Sequence, residues 1–235
     1  MEQLRKAFEQ LNISVNEETV SKFKKYMGLV LAWNEKINLT AITGETDFIK
    51  KHFIDSLLCA NFDEVKNADT LIDVGTGAGF PGVPLALVFP HKQFLLIDSI
   101  GKKVKILGEI AEALELSNVN LLQSRAEDLA RKEEFRENFD VCLARAVAGL
   151  ATLSEYCLPF VKIGGSFISY KGPGADEEAK GAEKAIETLG GKFVGIRRPQ
   201  LEGFDFDHSL IVIKKTQKTH GKYPRSAGIP TKAPL

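Results

Sequence analysis

Leu71-Ile72-Asp73-Val74-Gly75-Thr76-Gly77-Ala78-Gly79-Phe80-Pro81-Gly82 decides how this chain folds. Leu71–Val74 is a short apolar run with one acid in it, which reads as a strand buried on both faces, the habit of parallel sheets. Four glycines follow within eight residues. A helix is expected from about Pro81, a residue tolerated in the first turn because its missing N–H is not needed there. Strand, glycine turn and helix together bring backbone N–H groups and a helix N-terminus up to a ligand. A turn that only packed a helix on a strand would not need so many glycines, each of which costs chain entropy.

The glycines fit two templates. Gly77, Gly79 and Gly82 satisfy G-x-G-x-x-G, the dinucleotide fingerprint, which is weak by itself. Asp73, Gly75, Gly77 and Gly79 give D-x-G-x-G-x-G, which resembles the first motif of the class I S-adenosylmethionine (SAM) methyltransferases. The ligands differ physically. A pyrophosphate wants N–H donors and positive potential, whereas SAM carries a sulfonium, an amino group and a carboxylate. An acid beside the turn suits SAM better. A valine at Gly77 or Gly79 is therefore expected to abolish SAM binding.

Outward from this stretch, strands and helices alternate, which implies a parallel sheet covered on both faces. Strands are expected at Gln93–Asp98, Val119–Gln123, Phe139–Ala144, Ser166–Lys171, Phe193–Arg197 and Ser209–Lys214. Helices are expected at about 102–116, 150–160 and 176–189. Residues 198–208 show no helical pattern and are too few for a parallel crossover, so the final strand is expected to run antiparallel. The fold class is α/β, a Rossmann-like sheet of the class I SAM-dependent methyltransferase kind, mostly parallel with an antiparallel last strand. A small helical module precedes it. Its helices are expected at 2–11, from an Asn16 N-cap to about Lys36, and at about 46–61. His52, Asp55 and Ser56 lie on the third of these, where they either touch substrate or serve as caps and surface hydrogen bonds. The divisions are 1–66 for the module, 67–215 for the SAM-binding domain and 216–235 for a basic tail.

Composition narrows the class. With 44% hydrophobic residues in 235, the chain can bury a sizeable core. No window is apolar enough to span a bilayer, and Met1–Lys6 lacks a signal-peptide core, so a cytoplasmic protein is expected. Cys59, Cys142 and Cys157 are odd in number, sit in apolar runs and lack metal spacing; they read as reduced core residues, with no metal expected. The net charge is zero, yet Lys214, Lys215, Lys218, Lys222, Arg225 and Lys232 close the chain without an acid, leaving the preceding 213 residues at −6. A basic end on an acidic body implies an anionic partner, or else a solvated terminus.

Ligands bind at the carboxyl ends of strands in such sheets. The first strand offers Gly75–Phe80. The second offers Asp98 and Ser99, with Asp98 nineteen residues beyond Gly79, where an acid is expected to hold ribose hydroxyls. The third offers Ala126 and Glu127, and the fourth Arg145. A strand-end arginine faces the crevice. Its replacement by alanine is expected to remove activity and leave the fold intact.

The resemblance becomes close over Trp33–Thr40, Lys51–Ser56, Asp73–Gly82, Ile97–Ser99, Arg125–Glu127, Ala144–Val147 and the tail from Tyr223-Pro224-Arg225 to Leu235. Together these are similar to the RsmG family, also called glucose-inhibited division protein B. That resemblance implies transfer of a methyl group from SAM to N7 of a guanosine in the decoding-centre loop of 16S ribosomal RNA. It places SAM contacts at Gly75, Phe80, Ala126, Glu127 and Arg145, the last also a candidate for positioning. It implies 16S rRNA or a small-subunit assembly particle as partner, a monomer, and no membrane. Ser226-Ala227 stands where many members have a basic residue and a proline, one charge fewer.

Guanine N7 carries a lone pair and no proton, so no general base is required and positioning supplies the acceleration. Adenine N6 enzymes usually show an Asn/Asp-Pro-Pro-aromatic run where this chain has Ala144-Arg145-Ala146-Val147. Cytosine C5 enzymes need a nucleophilic cysteine, and the cysteines here read as core. Lys171, ending strand five, leaves a lysine-centred base for ribose methylation open. An NAD-type oxidoreductase and a non-catalytic RNA-binding protein are the competing readings. Lys218, Lys222, Arg225 and Lys232 are the candidate RNA contacts. Truncation after Lys218 is expected to weaken RNA binding, flatten its salt dependence and spare SAM affinity.

Overall fold

The computed structural model describes residues 1–206 and 208–235. Three helical stretches come first. Helix α1 is Glu2–Gln10 and α2 is Glu17–Asn34. The Asn16 side chain caps α2 by accepting from the Thr19 N–H at 2.9 Å, satisfying a donor that the first turn leaves unpaired. The third stretch, expected as one helix over 46–61, is a composite. Helix α3 (Glu45–Phe48) runs into a π-helical turn, Ile49–Ile54, and then α4 (Asp55–Leu57). The wider turn breaks the one-sided burial of an ordinary amphipathic helix, and every residue from His52 to Ala60 is buried. The short α5, Asp63–Lys66, leads to the sheet.

The sheet has seven strands. In chain order they alternate with helices: β1 Thr70–Val74, α6 Gly82–Val88, β2 Gln93–Asp98, α7 Gly101–Ala113, β3 Val119–Gln123, α8 Ala126–Leu129, β4 Phe139–Arg145, α9 Leu150–Cys157, β5 Val161–Lys171, α10 Ala175–Thr188, β6 Gly191–Arg197 and β7 Ser209–Lys215. A last turn of helix, α11, is Ile229–Lys232. The spatial order is β3-β2-β1-β4-β5-β7-β6. Strands β1 to β5 pair in parallel, and β7 is antiparallel to both its neighbours. Among the described residues between β6 and β7 there is no helix, and the chain turns back beside β6 instead of crossing over.

Alternation along β1 divides the interior. Leu71 belongs to a core shared with α1, α2, the composite helix, α6 and α7, whereas Ile72 and Val74 belong to a core under α8, α9 and α10. The N-terminal helices therefore complete one face of the sheet. Tyr26 of α2 is fully buried and donates to the carbonyl of Ala78, inside the glycine turn, at 2.6 Å.

The C-terminal residues are strapped to the body, and the reading of them as a solvated terminus does not hold. Arg225 pairs with Glu155 of α9, a carboxylate only 1% exposed, through its guanidinium at 2.6 Å and its main-chain N–H at 2.7 Å. Lys215 is fully buried; it donates to the Leu158 carbonyl at 2.8 Å and lies 3.2 Å from Glu137. Arg136 donates to the carbonyls of Thr219 and Tyr223. Lys218, Lys222 and Lys232 are exposed.

Candidate active site

Two cavities open at the carboxyl ends of the strands, separated by the run Arg145-Ala146-Val147 that leaves β4. The first, about 130 Å³, lies over β1, β2 and β3 and is lined by Gly75, Asp98, Ser99, Ala126, Glu127 and Val147 among others. Gly75, the first glycine of the turn, lines it directly. Gly75 has φ +74°, and a Cβ there would sit 2.6 Å from Val147 Cγ2. Gly77 has φ +60°, and a Cβ on it would meet nothing closer than 4.0 Å. This turn therefore keeps main chain bare on the crevice side. Asp98 sits at the end of β2, accepting from the Gly77 N–H at 3.0 Å and the Ile100 N–H at 2.8 Å. Glu127, in the first turn of α8, is buried and accepts from the Gly228 N–H at 3.0 Å. Two carboxylates beside Gly75 suit hydroxyls and a cationic centre. A pyrophosphate there would face negative charge, and the Gly77 N–H is already turned to Asp98.

Three residues expected at this ligand do other work. Asp73 is buried; its Oδ2 accepts from Thr76 Oγ1 at 2.7 Å and from the Gly82 N–H at 2.9 Å, which clasps the turn to the start of α6. Its Oδ1 has no partner among the described residues. Burial, outweighing those two bonds, pushes its pKa up to about 6. Gly79 faces inward: a Cβ on it would lie 2.6 Å from the Tyr26 hydroxyl and 2.9 Å from Leu107. Phe80 turns its ring into the core, against Tyr26, Phe48 and His52.

The second cavity is larger, about 550 Å³, and lies over β4 and β5 beside the composite helix. Arg145 lines this one and not the first. Its Nη1 donates to Asp55 Oδ2 at 2.6 Å and to the Lys51 carbonyl at 3.0 Å, and Nη2 lies 3.2 Å from His52 Nδ1. Arginine has only donors, so His52 Nδ1 is an acceptor and its proton sits on Nε2. That proton points to Thr40 Oγ1 at 2.7 Å. The His52 ring lies flat on Phe80, with centroids 4.4 Å apart and planes 7° from parallel. Burial first, then the Arg145 charge, pushes the His52 pKa down to about 4 against the pull of Asp55. The other oxygen of Asp55 accepts from His208 Nδ1. Lys171 donates to the Ala148 carbonyl at 2.6 Å and pairs with Glu178 at 2.7 Å.

The sequence reading placed Gly75, Asp98, Ser99, Ala126 and Glu127 at strand ends, and the structure brings these together around the first cavity. It treated His52 and Asp55 as surface groups at least as readily as site groups; both are buried against Arg145. It passed over Thr40, Asp205, Phe206 and His208, which sit in segments without a periodic pattern.

The model of the family "rRNA small subunit methyltransferase G" matches residues 19–200. The chain belongs to that family. Among curated members, the one from Clostridium perfringens (strain SM101 / Type A) is 47% identical over 232 residues, covering 99% of this chain and 97% of its own. The member from Alkaliphilus metalliredigens is 46% identical over 232 residues, with the same coverage. Both are named "Ribosomal RNA small subunit methyltransferase G". Solved structures share the fold at low identity. A ribosomal protein L11 methylase from Lactobacillus delbrueckii subsp. bulgaricus superposes with a TM-score of 0.53 at 18% identity, covering 71% of this chain and 79% of that one. An O-methyltransferase family protein from Burkholderia thailandensis gives 0.55 at 14% identity, covering 69% and 55%. The family of methyltransferases and the antiparallel β7 inside the sheet set aside the NAD-type oxidoreductase. No helix among the described residues is long and apolar enough to cross a membrane, and no cluster among them has the makings of a metal site.

Proposed function

We propose that this chain methylates N7 of a guanosine in the decoding-centre loop of 16S rRNA, using SAM held in the first cavity. Family membership supports ribosomal RNA as the substrate. The observation that carries the choice of atom is that the groups behind the second cavity are already committed. His52 Nδ1 accepts from Arg145, both oxygens of Asp55 are engaged, and Lys171 holds its protons toward Ala148 and Glu178. Asp205, the other carboxylate in the lining, is far too weak a base for a ribose hydroxyl. A nucleophile that has no proton to lose needs no base, so the commitment of these groups to one another does not hinder its attack.

Gly75, Gly77, Asp98, Ser99, Ala126 and Glu127 would hold the cofactor, with Asp98 and Glu127 supplying acceptors for its hydroxyl and amino groups. The cofactor supplies an electrophilic methyl: as the N7 lone pair forms the N–CH₃ bond, the S–CH₃ pair leaves with sulfur, no proton moves, and positive charge passes to the purine. The chain's own part is placement. Arg145, fixed by Asp55 with its guanidinium 5.2 Å from the Phe80 ring, stands where the two cavities meet and would set the base against the methyl.

The test is transfer of labelled methyl from SAM to small-subunit particles from cells lacking the gene, followed by mass mapping. One labelled guanosine, sensitive to chemistry diagnostic for an N7-methylated purine, is expected. Label on a ribose or an exocyclic amine would overturn the choice of atom, and no transfer would favour a non-catalytic RNA-binding protein.

A further inference from the structure

The second cavity holds two residues that the reaction so far leaves without a task, Asp205 and Phe206, side by side in the connection between β6 and β7. Its other carboxylate, Asp55, is occupied on both oxygens. Asp205 is exposed and accepts no hydrogen bond from any described residue. Phe206 is half-buried, stacked on Phe204 with centroids 5.9 Å apart and planes 17° from parallel. Lys50 Nζ lies over its ring at 5.9 Å. One face thus rests on a fixed aromatic neighbour while a flexible, replaceable cation visits the ring.

We propose that this cavity takes the target base, with the Asp205 carboxylate reading the N1–H and N2–H of guanine and the Phe206 ring carrying its face. The inference rests on the methylation reading above and assigns its base specificity. Of the four RNA bases, guanine alone presents two adjacent donors on its Watson–Crick edge, which match the two oxygens of one carboxylate. Adenine would put its N1 lone pair against the same oxygens. The edge that Asp205 reads lies across the purine from N7, so reading and reaction do not compete. Phe206 contributes in a second way. The purine becomes a cation as N7 is methylated, and an aromatic face that already draws Lys50 Nζ favours that charge more than the neutral base. Lys50 is then displaced toward the RNA backbone, where an ammonium meets phosphate. A base packed in a loop must be turned out to reach such a cavity, and stacking on Phe206 offsets part of that cost.

The full-length protein, saturated with S-adenosylhomocysteine, is titrated with 5′-GMP, 5′-IMP and 5′-AMP by ligand-observed NMR. IMP differs from GMP in lacking the N2 amino group. The native protein is expected to prefer GMP to IMP by about tenfold, one charge-assisted hydrogen bond. Asp205→Asn is expected to abolish the preference for GMP over IMP, weakening GMP most and IMP less, and to leave AMP no weaker. Phe206→Ala is expected to weaken all three alike, with Phe206→Tyr restoring them. Asp205 is exposed and Phe206 lies in the connection outside the sheet and helices, and an unchanged melting temperature checks that the variants keep the fold. Equal GMP and IMP affinity in the native protein, or an undiminished GMP preference in Asp205→Asn, overturns the assignment. Labelled transfer to small-subunit particles is run alongside. If the native protein transfers methyl normally while the GMP preference survives in Asp205→Asn, only the Asp205 assignment falls. If it transfers none, the methylation reading falls as well.

Discussion

The main-chain N–H of Gly228 donates to Glu127 Oε1 at 3.0 Å, tying the C-terminal strap to the wall of the first cavity. Glu127 is buried and sits in a four-residue helix that has little rigidity of its own. Tyr156, also in that wall, meets Thr231 at 2.8 Å. The strap therefore holds the wall of the first cavity, and with it the residues proposed to bind the cofactor.

Truncation is thus expected to cost SAM affinity, which departs from the expectation that it spares it. Removing residues 228–235 leaves the Arg225–Glu155 pair in place and takes away the support of Glu127; SAM affinity should fall roughly tenfold, about one charge-assisted hydrogen bond. Removing everything after Lys218 also strips Arg225 from Glu155, leaving a buried carboxylate unpaired, and should lower the melting temperature sharply. Calorimetry with SAM and thermal melts separate the two effects. Unchanged SAM affinity in the shorter truncation would show that the strap has no hold on the cavity.

Arg145→Ala is expected to do more than stop turnover. Asp55 is 1% exposed and, without the guanidinium, would keep His208 as its side-chain partner among the described residues. Losing one side of a buried pair costs roughly 3–5 kcal/mol, so the variant should unfold at visibly lower denaturant. Adding Asp55→Asn removes the stranded charge and should restore part of the stability without restoring activity. Full native stability in Arg145→Ala alone would return the arginine to a surface role.

Much of this architecture was legible. β2 and β3 have the bounds that their apolar runs suggest, and the antiparallel β7 follows from a connection too short to cross over. That Asp98 and Glu127 would meet around one cavity was legible because both follow the carboxyl ends of neighbouring parallel strands. His52 and Asp55 were harder, because helical periodicity assumes 3.6 residues per turn and the π turn at Ile49–Ile54 does not obey it. The packing of the strap was not legible for a different reason. A run of cations says nothing of the acids that meet it, and Glu127, Glu137 and Glu155 lie far upstream in separate elements. Gly79 looked like its neighbours in the motif, since a one-dimensional pattern cannot say which glycine faces ligand and which faces Tyr26.

The buried His52 makes stability depend on pH. Its folded pKa, about 4, lies below the ordinary value of 6.5. Between these values the unfolded chain binds a proton that the folded chain does not, so the contribution is full above pH 6.5 and falls as the pH drops toward 4. The slope approaches roughly 1.4 kcal/mol per pH unit for this one group. Arg145 opposes its protonation and Asp55 favours it. Urea melts from pH 7 to pH 5 should show a steeper loss in the native protein than in His52→Gln. An imidazole signal of His52 titrating near 6.5 in the folded state would contradict the arrangement.

Gly77 and Gly79 should part company on substitution, although they share a motif. An alanine Cβ at Gly77 meets only open space, so the penalty is its φ of +60°, roughly 1–2 kcal/mol. Because that Cβ would project beside the N–H held by Asp98, Gly77→Ala should weaken SAM binding more than it weakens the fold. At Gly79 the φ of +102° is strained for alanine as well, and the Cβ would collide with the Tyr26 hydroxyl, Val83 and Leu107. Overpacking of that kind costs roughly 1–3 kcal/mol more. It would also push Tyr26 off the Ala78 carbonyl, its only hydrogen bond among the described residues. Gly79→Ala should therefore lower the melting temperature well beyond Gly77→Ala. Tyr26→Phe in that background removes the nearest clashing atom and should recover part of the loss. If the two alanine variants melt together, or if Tyr26→Phe only adds to the damage, the inward-facing role of Gly79 is wrong.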